Sequence, residues 1–227
     1  MLDIFSGWFF LGYLLGFVGK VEEVSMISVI IPVSVKDFED GLLWRAQHFI
    51  ERAKNLCPEE VETVAIVNDP SFGRVKSKNL GAEEARGDTL VFLDVDCVIG
   101  SMFLNEISRK SKNPYFIGGG VKYVKLTRYS PGIICGTLIL AFFMFLTQIT
   151  LGAFWIRKTD LQKLGGFRQK TYDDIDFALR LRKYAKKTDR KFESLKESFL
   201  IWSTRKMDKK GDWHWLTGYR SKQEREC

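Results

Sequence analysis

Apolar positions fall into two kinds of run in the first half of the chain. Residues 26–33 (MISVIIPV), Val61–Val67 and Leu90–Asp94 are short and mainly apolar, the last apolar until its final position, the pattern of strands buried in a parallel sheet. Between them, Asp40–Leu56 places Leu42, Leu43, Ala46, Phe49, Ile50, Ala53 and Leu56 at helical spacing and stops at Pro58, and Ser77–Arg86 reads as a second helix closed by Gly87. Strand, helix, strand, helix, strand predicts a parallel sheet with helices on both faces. Further on, Ser101–Ser111 reads as a helix, and Gly118–Gly120 as a break before a strand at Val121–Leu126. Thr159–Gln162 fits a capping box whose helix ends at Leu164-Gly165-Gly166-Phe167. Asp173–Lys187 has acids in its first turn and bases in its last, as the helix dipole prefers, and Phe192–Trp202 is strand-like.

Two stretches depart from this alternation. Ile4–Gly19 carries no charge, but it is shorter than the roughly 20 residues of a spanning helix and is weakened by four glycines. It has no basic leader and no small-residue cleavage site, which argues against a signal peptide. It reads as a segment on or shallowly in a membrane, or as an aromatic arm packed on the domain or on a second subunit of a homo-oligomer. Tyr129–Ile156 runs 28 residues without a charge. A single crossing would place parts of one domain on opposite sides of a membrane. An interfacial or re-entrant helix, or a buried core helix, avoids that conflict.

The 227 residues suit one large α/β domain. Four scattered cysteines and two histidines offer neither a disulfide framework nor a zinc site, and fit the reduced thiols of a cytoplasmic protein. The net charge of +7 is concentrated at the end: from Arg180 onward there are 15 Lys/Arg against 7 Asp/Glu. Such a tail can meet phosphates, or serve only as a solvated face.

Candidate chemistry centres on Thr89-Leu-Val-Phe-Leu-Asp94-Val-Asp96-Cys97. If the strand persists to Asp96, residues 94 and 96 point the same way at the C-terminal edge of the sheet, where open α/β sheets bind ligands. Two carboxylates there suit Mg2+ or Mn2+ carrying phosphate oxygens, or else form a solvated turn.

Taken in order, the motifs resemble those of family 2 glycosyltransferases. They are the first strand ISVIIPV, the second strand ending VNDPS, then SKNLGAEEARGDTLVFLDVDC, GAFWIRKTDLQKLGGF and YDDIDFALRLRK. The resemblance spans about Ile27–Tyr184 and, more loosely, Ser203–Gly211. It implies a GT-A-type fold, with a Rossmann-like, mostly parallel central sheet and helices on both faces, to which this chain adds apolar N-terminal and mid-chain segments. The expected organisation is an apolar arm over 1–24, a glycosyltransferase domain over 25–202 and a basic tail over 203–227. The domain divides into a nucleotide-binding half (25–100) and an acceptor half (101–202) that contains the apolar segment 129–156.

The resemblance also implies metal-dependent transfer of a sugar, with inversion, from a UDP-, GDP- or dTDP-sugar. Asp94 and Asp96 would bind Mn2+ or Mg2+. Pro32, Asp69, Lys78, Asp94, Arg205 and Lys206 would contact the nucleotide. Asp174 would be the catalytic base, and Trp155, Gly165, Gly166 and Asp173 would meet the acceptor. The dipole at the helix start would lower the basicity of Asp174, and Asp173 and Asp176 would raise it. Departures from the family pattern are Val33-Ser34 after the first-strand Pro, Asn68 and Pro70 for Asp and Gly, Lys78 for Arg, and Asp173 for Glu. The Q-x-x-R-W motif of processive members is absent, which argues against a polymer synthase. The apolar lining implies a glycan or lipid-linked acceptor and a peripheral place at the cytoplasmic face of a membrane, with no nucleic-acid partner. Alternatives are a sugar-nucleotide nucleotidyltransferase, disfavoured by the Gly-poor segment Val33–Asp37, and a non-catalytic binder of membranes or nucleic acid.

Overall fold

Strand β1 (Met26–Ser34) is the axis of the molecule, and its side chains divide the core in two. Ile27, Val29, Ile31 and Val33 point to one face of the sheet, where they pack with Ala46, Ile50 and Ala53 of α2 (Leu42–Lys54) and Phe103, Leu104 and Ile107 of α4 (Phe103–Ser111). Ile30 points to the other face, with Leu90 and Phe92 of β3 (Thr89–Leu93). There the sheet is covered by α3 (Gly73–Glu84), α6 (Lys158–Leu164) and α7 (Asp173–Lys187). Two-residue alternation in β1 and β3 is therefore what places helices on both faces. The structure, a computed structural model, describes residues 25–68, 73–147, 152–170 and 173–213, the side chains at 140 and 143–147 excepted. The apolar arm at 4–19 and the expected nucleotide contact Asp69 lie outside the described residues.

The described strands form one mixed sheet in the order β2-β1-β3-β6-β5-β8-β4, with β7 (Lys191–Phe192) beside β5. The first three, β2 (Glu60–Asn68), β1 and β3, are the parallel unit read from the sequence. Beyond them, β6 (Ala153–Arg157) runs antiparallel to both β3 and β5 (Phe116–Leu126). Strand β8 (Leu195–Trp202) is parallel to β5 and antiparallel to β4 (Cys97–Ile99).

Two expectations change here. The glycines at 118–120 do not break the chain but lie within β5, where a Cβ on Gly119 would sit 1.7 Å from the Glu193 carbonyl oxygen. Bare backbone is what admits the neighbouring chain so closely. The apolar stretch 129–156 is not a single helix. Helix α5 (Pro131–Thr147) takes most of it, and its last residues form the central strand β6. Among the described residues, no helix is long and apolar enough to cross a membrane.

Candidate active site

The three parallel strands all end at one edge, and the polar groups converge there, as open α/β sheets dictate. After β1 comes the short helix α1 (Val35–Glu39), whose first turn is capped by the Ser34 hydroxyl accepting from the Asp37 amide at 3.1 Å and which carries Asp37. After β2 comes α3 with Arg74 and Lys78, one turn apart on the same side. After β3 the chain does not stay extended. The Cys97 amide donates to the Asp94 carbonyl at 3.0 Å, closing a turn over Asp94-Val95-Asp96 that β4 then leaves. The premise that residues 94 and 96 share a face because a strand continues is thus corrected, and the turn sends the two carboxylates to different partners.

Asp94 looks toward α3 and α7. Its charge acts on Arg74, on Lys78 and on Asp174. The Lys78 ammonium is 3% exposed, stands 3.0 Å from Asp173 Oδ2, donates to Asp174 Oδ1 and lies 4.9 Å above the Phe167 ring. Arg74 reaches Asp173 at 2.9 Å and Asp174 at 3.7 Å. Burial alone would pull the pKa of Lys78 down, but Asp174, Asp94 and Asp173 outweigh it and hold the ammonium charged. Burial likewise pushes Asp173 up, and the Lys78 and Arg74 cations bring it below the ordinary carboxylate range. Asp174 ends above that range, because burial, Asp94 and Asp173 together exceed the pull of Lys78 and Arg74. Of the neighbours weighed from the sequence only Asp173 contributes, and burial, which the sequence did not show, is the largest cause.

Asp96 faces the other way. Its Oδ2 lies 3.3 Å from Nε of Arg205, the first residue of α8 (Arg205–Lys210), and the same guanidinium donates to Asp37 at 2.6 Å. Burial raises Asp37, while the Ser34 and Arg205 contacts lower it by more. The two groups at this sheet edge together hold five carboxylates, Asp37, Asp94, Asp96, Asp173 and Asp174, against three cations, Arg74, Lys78 and Arg205, a surplus of two negative charges. Among the described residues no three His, Cys, Asp or Glu side chains form a ready-made metal cage. Two carboxylates in a cleft of surplus negative charge nonetheless match an ion that takes its other ligands from substrate phosphates and water.

The remaining expected site residues are placed as follows. Pro32 is buried within β1, opposite Ile66. Lys206 is exposed beside Arg205, and its charge opposes the burial, Asp94 and Asp96 that push the Cys97 thiol up. Gly165 ends α6 in the left-handed region, φ 71°, with open space around it. Gly166 is also left-handed, φ 66°, and a Cβ there would meet Asn79 Oδ1 at 2.6 Å. Asn79 pins the next residue by bonding both the amide and the carbonyl of Phe167, at 2.8 and 2.9 Å. The glycine pair is thus held against α3 beside Lys78. Trp155 is a correction: it is fully buried in the core, paired with Val91 and Gly119, so it cannot stack on a sugar. Asp176 bonds Arg180 at 2.8 Å, which in turn donates to the Leu164 and Gly166 carbonyls, a structural role. The capping box also differs, since α6 begins at Lys158 and has no side-chain cap. Arg74 and Asp37 were missed. Arg74 had a signal, its four-residue spacing from Lys78, and Asp37 had none beyond following the first strand.

No family model matches the sequence, and no curated protein matches it. Solved structures do match. One is the mannosyltransferase PcManGT from Pyrobaculum calidifontis in complex with GDP-Man and Mn2+, with a TM-score of 0.54 at 13% identity over 77% of this chain and 56% of that one. Another is a mutant Drosophila β-1,4-galactosyltransferase 7 in complex with manganese, UDP-Gal and xylobiose, with a TM-score of 0.52 at 13% identity over 79% of this chain and 65% of that one. The fold is of the GT-A type. The chain spans less than two thirds of the length of either neighbour.

Proposed function

We propose that the chain is an inverting glycosyltransferase that moves a sugar from a nucleoside-diphosphate sugar to an acceptor hydroxyl or phosphate, with the acceptor lipid-linked and presented at a membrane surface. One observation carries this reading. On a fold of the type used by enzymes crystallised with GDP-Man or UDP-Gal and manganese, Asp94 after β3 and Asp173 and Asp174 opening α7 act on the same two cations, Lys78 and Arg74, with Asp96 one turn away on Arg205.

Inverting displacement needs a base on the acceptor hydroxyl and positive charge on the leaving diphosphate. Asp174 supplies the first. Its raised pKa improves its basicity, and Lys78 fixes one of its oxygens. The acceptor oxygen bonds to the anomeric carbon as the bond from that carbon to the diphosphate breaks, with the proton passing to Asp174 and the electron pair to the diphosphate. Arg205, Lys78 and Arg74 are the cations at hand for that diphosphate. Asp94 and Asp96 would hold a divalent ion, which when bound supplies further neutralisation of the leaving group. Asp69 and Pro32 are proposed to contact the nucleoside, and Gly165, Gly166 and Asp173 the acceptor side.

The test is a hydrolysis screen of UDP-, GDP- and dTDP-sugars with Mn2+ or Mg2+, which needs no knowledge of the acceptor. Metal-dependent release of one nucleoside diphosphate, lost in Asp174→Asn and Asp96→Ala, is the expected result. No release and no metal-dependent thermal shift with any donor would overturn the assignment.

A further inference from the structure

Helix α5 has no polar side. Of the described side chains, Gly132, Ile133 and Gly136 are buried against the domain, whereas Ile134, Leu138, Ile139 and Phe142 are exposed, Leu138 by 65% and Phe142 by 66%. At 100° per residue the exposed set covers an arc of roughly 140°. A helix that is apolar all round belongs in a core or in lipid, and half of this one is in neither within the described chain.

What lies beside it indicates which. Arg128, just before α5, bonds Asp208 of α8 at 2.8 Å and Asp212 beyond it at 2.5 Å, which fastens the start of α5 to the end of α8. A Cβ on Gly132 would lie 3.1 Å from the Trp213 ring, and Trp213 is itself 53% exposed. Arg128 occupies both acids, so the exposed Lys206, Lys209 and Lys210 leave α8 with net positive charge. An apolar helix free of charge, bordered by a lysine cluster and an exposed tryptophan, has the layering of a bilayer surface: hydrocarbon, aromatic interface, anionic headgroups. The border beside the patch is basic on balance, which suits anionic headgroups.

We propose that α5 and α8 form a docking face for a bilayer containing anionic lipid, with α5 lying in the interface and Lys209 and Lys210 on the headgroups. The face is continuous with the cleft. Arg205, which holds Asp96, and Lys210 are the two ends of one six-residue helix, about 9 Å long. Docking by this face brings the cleft within one short helix of the headgroups, where a lipid-linked acceptor presents its polar end. The docking face deepens the functional reading but is tested apart from it.

Flotation of the full chain with vesicles of phosphatidylcholine, alone or with about a third phosphatidylserine, is the experiment, alongside nucleotide-sugar hydrolysis by the same preparations. The wild type floats with the anionic vesicles. Leu138→Glu/Phe142→Glu remains at the bottom with either composition. Lys209→Glu/Lys210→Glu loses roughly tenfold or more of its binding to anionic vesicles and none of its residual binding to neutral ones. Donor hydrolysis is unchanged in both variants. Undiminished flotation of Leu138→Glu/Phe142→Glu would assign membrane binding to residues 1–24 and overturn the proposal. So would a wild type that ignores vesicles and forms a dimer split by the same variant. Absence of hydrolysis with flotation intact counts against the sugar-transfer reading alone.

Discussion

Lys78 is the residue whose loss most directly tests the cleft. Substitution by Met keeps an unbranched chain over the Phe167 ring, so packing changes little and charge changes by one. Asp173 and Asp174 then share Arg74 alone, at 2.9 and 3.7 Å. Breaking a buried pair by removing one partner costs about 3–5 kcal/mol, because the other charge stays buried. The surviving Arg74 contacts put Lys78→Met near the lower end, about 3 kcal/mol. The deficit also acquires a pH dependence. Asp174 already lies above its ordinary 3.8, and without Lys78 it rises further and Asp173 rises too. A carboxylate whose folded pKa exceeds its unfolded one keeps a proton the unfolded chain has released. Stability therefore falls as pH climbs from the unfolded value to the folded one, and the loss is complete above the latter. Urea unfolding followed by tryptophan fluorescence should show Lys78→Met closer to wild type at about pH 4.5 than at pH 7, by roughly 1 kcal/mol or more. Lys78→Met/Asp174→Asn should recover most of the deficit, because the stranded charge is gone. A loss below about 1 kcal/mol at pH 7, flat with pH and not relieved by the second substitution, refutes the shared-cleft geometry.

Other outcomes follow from the same geometry. Asp174→Asn should lower kcat for transfer by about 10^2–10^4 while leaving the donor KM within about threefold, and steady-state kinetics with a kcat within tenfold of wild type would remove its role as base. Arg205→Ala frees both Asp96 and Asp37, so calorimetry without nucleotide should find Mn2+ bound roughly fivefold tighter while kcat/KM falls; unchanged metal affinity would mean that the ion does not use Asp96. Glu62 receives the Ser28 hydroxyl at 2.6 Å and the Arg86 amide and guanidinium at 2.6 and 2.8 Å, and despite its burial these bring it from 4.5 to about 2. Its contribution is full above pH 4.5 and is lost as pH falls toward 2, so an acid titration of stability should lose roughly 2 kcal/mol there, a loss reduced in Glu62→Gln. Gly166→Ala meets both a left-handed φ and the Asn79 side chain, and should lower stability by roughly 2 kcal/mol in thermal unfolding.

The elements legible in the sequence are those whose burial writes a period. Strands β1 and β3 are apolar on both faces because helices cover both, and α2 repeats its apolar positions because only one stripe of it meets the sheet. Strand β6 was invisible for the complementary reason. Its five residues lie inside a stretch with no polar position to mark an edge, and as a central strand it buries Ala153, Trp155 and Ile156 alike. The same burial is why Trp155 was misread, since an aromatic next to expected acceptor contacts carries no sign of which layer it fills. Strand β4 has three residues and owes its existence to β8, about a hundred positions later. In the site, Lys78, Asp94, Asp173 and Asp174 were singled out through the motifs that resemble family 2 glycosyltransferases, and the structure brings these four together. Asp37 was not, because its meaning comes from Arg205, 168 residues away.

The turn at Asp94-Val95-Asp96 changes what the acid pair means. Along a strand, two carboxylates at positions i and i+2 would form a single anionic spot. The turn instead makes each the end of a separate ion chain, Asp94 with Lys78, Arg74 and Asp174, and Asp96 with Arg205 and Asp37. Each chain carries one more negative than positive charge, taking Asp94, Asp173 and Asp174 against Arg74 and Lys78, and Asp37 and Asp96 against Arg205. Held by Asp94 and Asp96, a divalent cation would balance both at once, whereas a monovalent one would balance only one. On the proposed function, a nucleoside diphosphate arriving with that cation would restore the surplus and give the more exposed basic side chains a reason to leave their carboxylates. Arg74, 42% exposed, and Arg205, a quarter exposed, are far more open to solvent than Lys78 at 3%, so on the proposed function the two guanidiniums would be the ones to turn toward the phosphates. The reason is physical: a solvated guanidinium gives up a carboxylate at little cost, while Lys78, sealed between Asp173 and Asp174, stays to hold the base.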